Sequence, residues 1–144
     1  MVAKNEEENM NASVAMQEYR HNHIQGGIET ASPHRLVQML MEGALEKLLA
    51  AKGFMAKKDI AKKGEHISWA ISIIDSLRSC LNVEVGGDFA QNLLELYNYM
   101  ERRLLEANIN NDPAMLDEVA QLIIEIKSGW DAIPAEYHSP VKPS

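Results

Sequence analysis

Ser32-Pro33-His34-Arg35-Leu36-Val37-Gln38-Met39-Leu40-Met41-Glu42-Gly43-Ala44-Leu45-Glu46-Lys47-Leu48-Leu49 begins with a helix start and continues as an apolar stripe. A serine oxygen can cap a free backbone N–H, and proline at the first helical position gives up no hydrogen bond. Leu36, Val37, Leu40, Met41, Ala44, Leu45, Leu48 and Leu49 then recur at steps of one, three and four, giving a face wider than a coiled-coil seam. A helix of this kind touches more than one neighbour. Gly43 costs roughly 1 kcal/mol relative to Ala in mid-helix, which points to a close helix crossing at that position.

Three further helices follow. Gly53 to Lys58 is helix-compatible, and Asp59 is placed to cap a second helix running to about Leu81, with Ile60, Ile67, Ala70, Ile71, Ile74, Leu77 and Leu81 as its stripe. Val83 to Gly87 reads as a loop, because paired glycines end helices readily. Asp88 and Gln91 match a capping box, so a third helix is expected from Asp88 to near Asn110, carrying Phe89, Leu93, Leu96, Tyr97, Met100, Leu104 and Leu105. Asp112-Pro113 starts a fourth, with Met115, Leu116, Val119, Leu122, Ile123, Ile126 and Trp130, and Ile133-Pro134 closes it. Connectors this short force neighbouring helices to run antiparallel.

Upstream, residues 1–12 are polar and acidic without periodicity and are expected to be disordered. Ser13 to Ile24 is amphipathic through Val14, Met16, Tyr19 and Ile24, but too short to hold as an isolated helix, so it must dock to be ordered. Gly26-Gly27 supplies a hinge behind it. The expected fold is all-α: an antiparallel up-and-down four-helix bundle with an additional short N-terminal helical segment. Residues 13–134 form one domain in this reading, and 135–144 a flexible tail.

Composition removes several classes of function. The formal net charge of -7 disfavours a nucleic-acid partner, which needs clustered Lys and Arg. The one basic cluster, Lys57, Lys58, Lys62 and Lys63, reads as a solvated turn rather than a docking patch. The lone Cys80 has no internal disulfide partner, which fits a reducing compartment, and no run approaches the roughly 20 apolar residues of a membrane span. No signal peptide precedes the first helix, so a cytoplasmic location without membrane insertion is expected. Catalytic, cofactor and metal sites are all expected to be absent. No phosphate-cradling loop occurs, His21, His23, His34, His66 and His138 are scattered, and no Glu has a His three residues on as bundle di-iron sites require. What is left to carry function is apolar helix surface, and the eight methionines suit a surface that repacks around variable partners.

The run from Tyr19 to Ile28, followed by Thr30-Ala31 and the Ser32 to Leu45 stretch, resembles the opening of the FliS family of flagellar secretion chaperones. Leu77-Arg78, Leu81-Asn82, Gly86-Gly87, Asn92-Leu93, Leu96-Tyr97, Tyr99-Met100, Arg103-Leu104, Ala107-Asn108 and Asp117-Glu118-Val119 through Trp130 resemble its second half, so the likeness covers about residues 15–133. Met41-Glu42 departs from the Tyr-Asp that many members carry before the glycine. The resemblance implies a chaperone that binds the C-terminal segment of flagellin, prevents premature polymerisation and presents it to the flagellar type III export apparatus, with no ATP or metal. It also implies that Val14 to Ile28 covers the binding surface when cargo is absent. With the resemblance, the expected flagellin-binding groove is Tyr19, Ile24, Ile28, Leu36, Met39, Leu40, Leu77, Leu81, Leu94, Tyr97 and Met100. The rival reading is a helical adaptor or regulator that self-associates without unfolded cargo, and homo-oligomers of the free protein are compatible with either.

Overall fold

A computed structural model describes residues 31–137, and the expected N-terminal helical segment, with Tyr19, Ile24 and Ile28, lies outside them. The described residues form α1 (Pro33–Ala56), α2 (Ile60–Ser79), α3 (Val83–Asn110) and α4 (Pro113–Asp131), then a 3-10 turn at Ala135–Tyr137. Each long helix begins where a side-chain oxygen accepts from a free backbone N–H: Ser32 from Arg35 at 3.1 Å, Asp59 from Lys62 at 3.1 Å, Asn82 from Val85 at 3.2 Å, and Asp112 from Ala114 at 2.9 Å.

The third start differs from the sequence expectation. Val83 to Gly86 form a helical turn, closed by Gly86 N–H donating to the Asn82 carbonyl at 2.8 Å, and the cap is Asn82 rather than Asp88. The break falls on Gly87 alone, at φ 58° and ψ -137°, a backbone combination that only glycine takes without strain. Gly86 is constrained too, since a Cβ there would come within 2.6 Å of the Ala90 methyl.

Two tight turns join the antiparallel pairs. Lys58 sits at φ 61°, its N–H donates to the Met55 carbonyl, and Asp59 N–H donates to that of Phe54 at 2.9 Å, a Schellman closure with lysine where glycine is usual. Asn111, at φ 52°, ends α3 similarly, with Asp112 N–H donating to Ala107 at 3.2 Å. Lys63, only 4% exposed, links the two turns by donating to the Asn108 carbonyl at 2.9 Å and to Asn111 Oδ1. This lysine therefore belongs to the structure and not to a solvated turn; its ammonium serves carbonyls left over at the end of α3.

The helices close a ring in which α1 meets α2, α2 meets α3, α3 meets α4 and α4 returns to α1. Leu40, Met41 and Leu48 of α1, Ile67, Ile73, Ile74 and Leu77 of α2, Met100 and Leu104 of α3, and Leu116 and Ile123 of α4 fill the centre. The most extensive pairing is α1 on α2, and the small residues Gly43, Ala44 and Ala51 of α1 and Ala70 of α2 are buried. Leu49, Ile60 and Leu105, read from the sequence as stripe members, face outward instead.

Ile74→Ala is expected to destabilise by about 2–5 kcal/mol in urea unfolding, because the site is sealed and relaxes poorly. Leu49→Ala, at a side chain 74% exposed, should stay within about 0.5 kcal/mol of wild type.

Candidate functional site

Between the first half of α3 and the end of α4 the bundle surface opens into an apolar groove. Phe89, Leu93 and Leu96 line one wall at steps of four and three; Ile126, Trp130 and Ile133 line the other with the same spacing, around a cavity of about 520 Å³. Asn92 and Glu125 sit at its rim, and Gly129 lies in the α4 wall with open space where a Cβ would be. Phe89 is 73% exposed, an aromatic ring with half of its packing missing.

The groove exists because polar contacts close the rest of the α3/α4 seam but stop short of this end. Glu118 of α4 accepts from Tyr99 O–H at 2.7 Å and from Arg103 Nε at 2.7 Å, and Arg103 also pairs with Glu106 at 3.0 Å. The Tyr99 hydrogen bond, then that from Arg103, holds the Glu118 carboxyl below its ordinary range, while the same bond keeps the Tyr99 phenol protonated above its own. The α1/α4 seam is closed beside the groove. Lys127 and Gln38 donate to Asp131 at 2.7 and 2.6 Å, Lys127 lies 3.8 Å from Glu42, and the Lys127 bond is the main cause of a lowered Asp131 pKa. Trp130 is pinned as well. Its indole stacks on His34 at 4.9 Å between ring centroids and donates to the His34 carbonyl at 2.9 Å. The groove wall is thus tied to the first turn of α1.

Of the residues expected in the groove, Leu40, Leu77, Tyr97 and Met100 are packed in the core and Met39 is buried. Leu40, Leu77, Tyr97 and Met100 hold helices together in this conformation, and burial pushes the Tyr97 phenol well above its ordinary pKa. Leu36, Leu81 and Leu94 are half-buried, and Tyr19, Ile24 and Ile28 lie outside the described residues. Phe89, Leu93, Ile126, Trp130 and Ile133 were not in that expectation. Their signal was available as two matched i, i+4, i+7 triplets, one on α3 and one running from α4 to just past its end, on neighbours that must run antiparallel. Among the described residues no three His, Cys, Asp or Glu side chains converge as a metal site would need, and no helix is long and apolar enough to cross a membrane.

Fold and groove together define a helical-bundle binding protein that leaves room for a partner's apolar helix face. The family described as flagellar protein FliS matches residues 15–137. The chain is 49% identical over 125 residues to the flagellar secretion chaperone FliS of Vibrio cholerae, covering 87% of this chain and 92% of that one. It is 49% identical over 124 residues to FliSB of Pseudomonas aeruginosa, covering 86% and 98%, and 44% identical over 111 residues to FliS of Salmonella typhimurium, covering 76% and 82%. The chain belongs to the FliS family.

Because the Glu118 pKa is lowered in the fold, its stabilising contribution is complete above the unfolded value of 4.5 and is lost as pH falls through the folded value. Glu118→Gln should therefore melt below wild type at neutral pH, and the gap should close on acidification. Thermal scans over a pH series check this; a gap independent of pH would show that the charge is not involved.

Proposed function

We propose that this chain is a flagellar export chaperone that receives the C-terminal segment of flagellin, keeps it from polymerising in the cytoplasm and delivers it to the flagellar type III secretion apparatus. Membership of a family whose relatives are named flagellar secretion chaperones supports the export role. The observation that carries the binding mode is the open α3/α4 groove, whose two apolar triplets suit the anchors of an amphipathic helix at i, i+4 and i+7. A segment that polymerises by helix packing is satisfied by substitute helix faces. The task includes no covalent step, and we assign the chain no catalytic residue.

One cavity of this size holds a few anchoring side chains, whereas coupled folding and binding typically buries about 1,000–3,000 Å². The rest of the cargo is then expected to follow neighbouring surface, where Leu36, Leu81 and Leu94 remain partly accessible. Tyr97 and Met100 anchor α3, one wall of the groove, in the core that Leu40 and Leu77 share. The amphipathic segment of residues 14–28 is proposed to cover the cargo surface when cargo is absent, as the family resemblance implies. Such occupancy lowers apparent cargo affinity by the fraction of time the groove is closed.

Co-purification with flagellin, and with flagellin lacking its C-terminal segment, tests the pairing. Only the intact cargo should be retained. Phe89→Asp and Gly129→Leu should each weaken the complex about tenfold or more, the first by charging an anchor site and the second by filling the cavity. Both substitutions fall on accessible surface, so the melting temperature should hold. Wild-type affinity in both variants would remove the groove from the binding surface.

A further inference from the structure

We propose that the outer seam of α1 and α2, with the turn joining them, is a second docking surface whose occupant is an acidic amphipathic helix of a partner protein. It is separate from the α3/α4 groove and does not rest on the flagellin reading. The first observation is where cations lack a carboxylate. Arg35, Lys52, Arg78, Arg103 and Lys127 all form ion pairs. Lys47, Lys57, Lys58 and Lys62 form none among the described residues and all four belong to α1, α2 or the turn between them, outnumbering the Glu46, Asp59 and Glu65 carboxylates of the same stretch; Arg102 on α3 is likewise without an ion pair but stands apart from them. In a chain of net charge -7, a stretch with a surplus of cations stands out.

The second observation is what the lysines stand over. Lys47 Nζ is 3.7 Å from the Trp69 ring centroid and Lys62 Nζ is 5.5 Å from that of Phe54, with the His66 ring between, 5.0 Å from Phe54 and 6.5 Å from Trp69. Rings under ammonium groups hold the charges against the apolar surface while leaving N–H bonds for an incoming acceptor. Positions 62 and 69 are two helical turns apart, about 10 Å along α2. Carboxylates at i and i+7 of one partner helix match that separation.

At the tip the seam ends in a cavity of about 300 Å³ walled by Phe54, Met55 and Ile60, with Lys58 and Asp59 at its edge. Ile60 is 70% exposed. Lys63 also faces this cavity but already donates to Asn108 and Asn111, so the unpaired charge there is that of Lys58. Lys58 occupies the left-handed position of the turn, where glycine would sit without strain. The chain carries a cation there against its backbone preference. An apolar side chain in the cavity with acidic groups beside it satisfies both features. A nucleic acid fits less well, because the few cations of this seam face a phosphate polymer repelled by the rest of the molecule.

The test is calorimetric titration of the full chain with a synthetic amphipathic helix bearing Glu at i and i+7, and with the same peptide carrying Lys instead. The acidic peptide should bind and the basic one should not. Lys47→Glu with Lys62→Glu should weaken binding at least about tenfold, whereas Lys52→Glu on the α1/α4 seam should leave it unchanged. Lys58→Gly should raise the melting temperature and still weaken the peptide, separating docking from folding. Equal binding of both peptides, or unchanged affinity in the double variant, overturns the proposal. So does tighter binding of a single-stranded oligonucleotide to the same lysines. If Glu6→Lys, Glu7→Lys and Glu8→Lys together raise the acidic peptide's affinity about tenfold, the seam serves the chain's own N-terminal residues and the partner is likewise overturned.

Discussion

The pairing of α1 with α2, the most extensive in the bundle, is the constraint on which the other helix positions depend. A three-residue turn joins the two helices, and the small residues Gly43, Ala44, Ala51 and Ala70 are buried along them. The pair contributes the larger buried residues Leu40, Met41, Leu48, Ile73, Ile74 and Leu77 to the core. Against these α3 and α4 settle, contributing Met100, Leu104, Leu116 and Ile123. They meet each other over a less intimate seam, which must be closed by whatever its side chains offer. Halfway along, Glu118 closes it with Tyr99 and Arg103; beyond, the side chains are apolar triplets that do not meet, and the groove is the result.

The seam's mouth is shaped by how the two helices enter and leave it. Gly87 breaks the α3 backbone two residues before Phe89, so the exposed ring stands on a turn that is not a continuation of the preceding one. On α4 the helix ends at Asp131, just ahead of Ile133 and Pro134, and the stack of Trp130 on His34 holds the last turn against α1. A cleft between rigid walls stays open because neither wall can lean in without breaking contacts elsewhere. That is a packing argument for a binding site, and it needs no movable catalytic group.

Helix starts were legible because a cap is a local event. Ser32, Asp59 and Asp112 each reach an N–H two or three residues away, and no tertiary contact overrides them. The Val83 to Gly87 stretch was misread because a glycine pair carries no mark of which member leaves helical geometry; Asn82 caps an extra turn and only Gly87 breaks it. The site was less legible for a different reason. Periodicity shows that Leu40, Leu77, Tyr97 and Met100 lie on apolar faces, yet not whether another helix or open space lies opposite. Lys62 and Lys63 make the same point for charge: about 100° apart around the helix, one stands over Phe54 and the other is buried against the end of α3.

The two candidate surfaces differ in chemistry and in place. The groove is almost wholly apolar and lies where α3 begins and α4 ends; the basic seam runs along α1 and α2 toward the opposite end of the bundle. Lys47, the seam's cation nearest the groove, lies 13 residues along α1 from the His34 that Trp130 stacks on, roughly 20 Å at 1.5 Å per residue. Ligands centred on the two surfaces therefore use different side chains. An escort has to hold its cargo while being recognised by something else, and a single surface would make each event displace the other. Apolar burial holds a segment with little dependence on salt, whereas exposed lysines over aromatic rings recruit an acidic partner quickly and release it readily. The rigid α1/α2 pair lets one small bundle carry both kinds of contact.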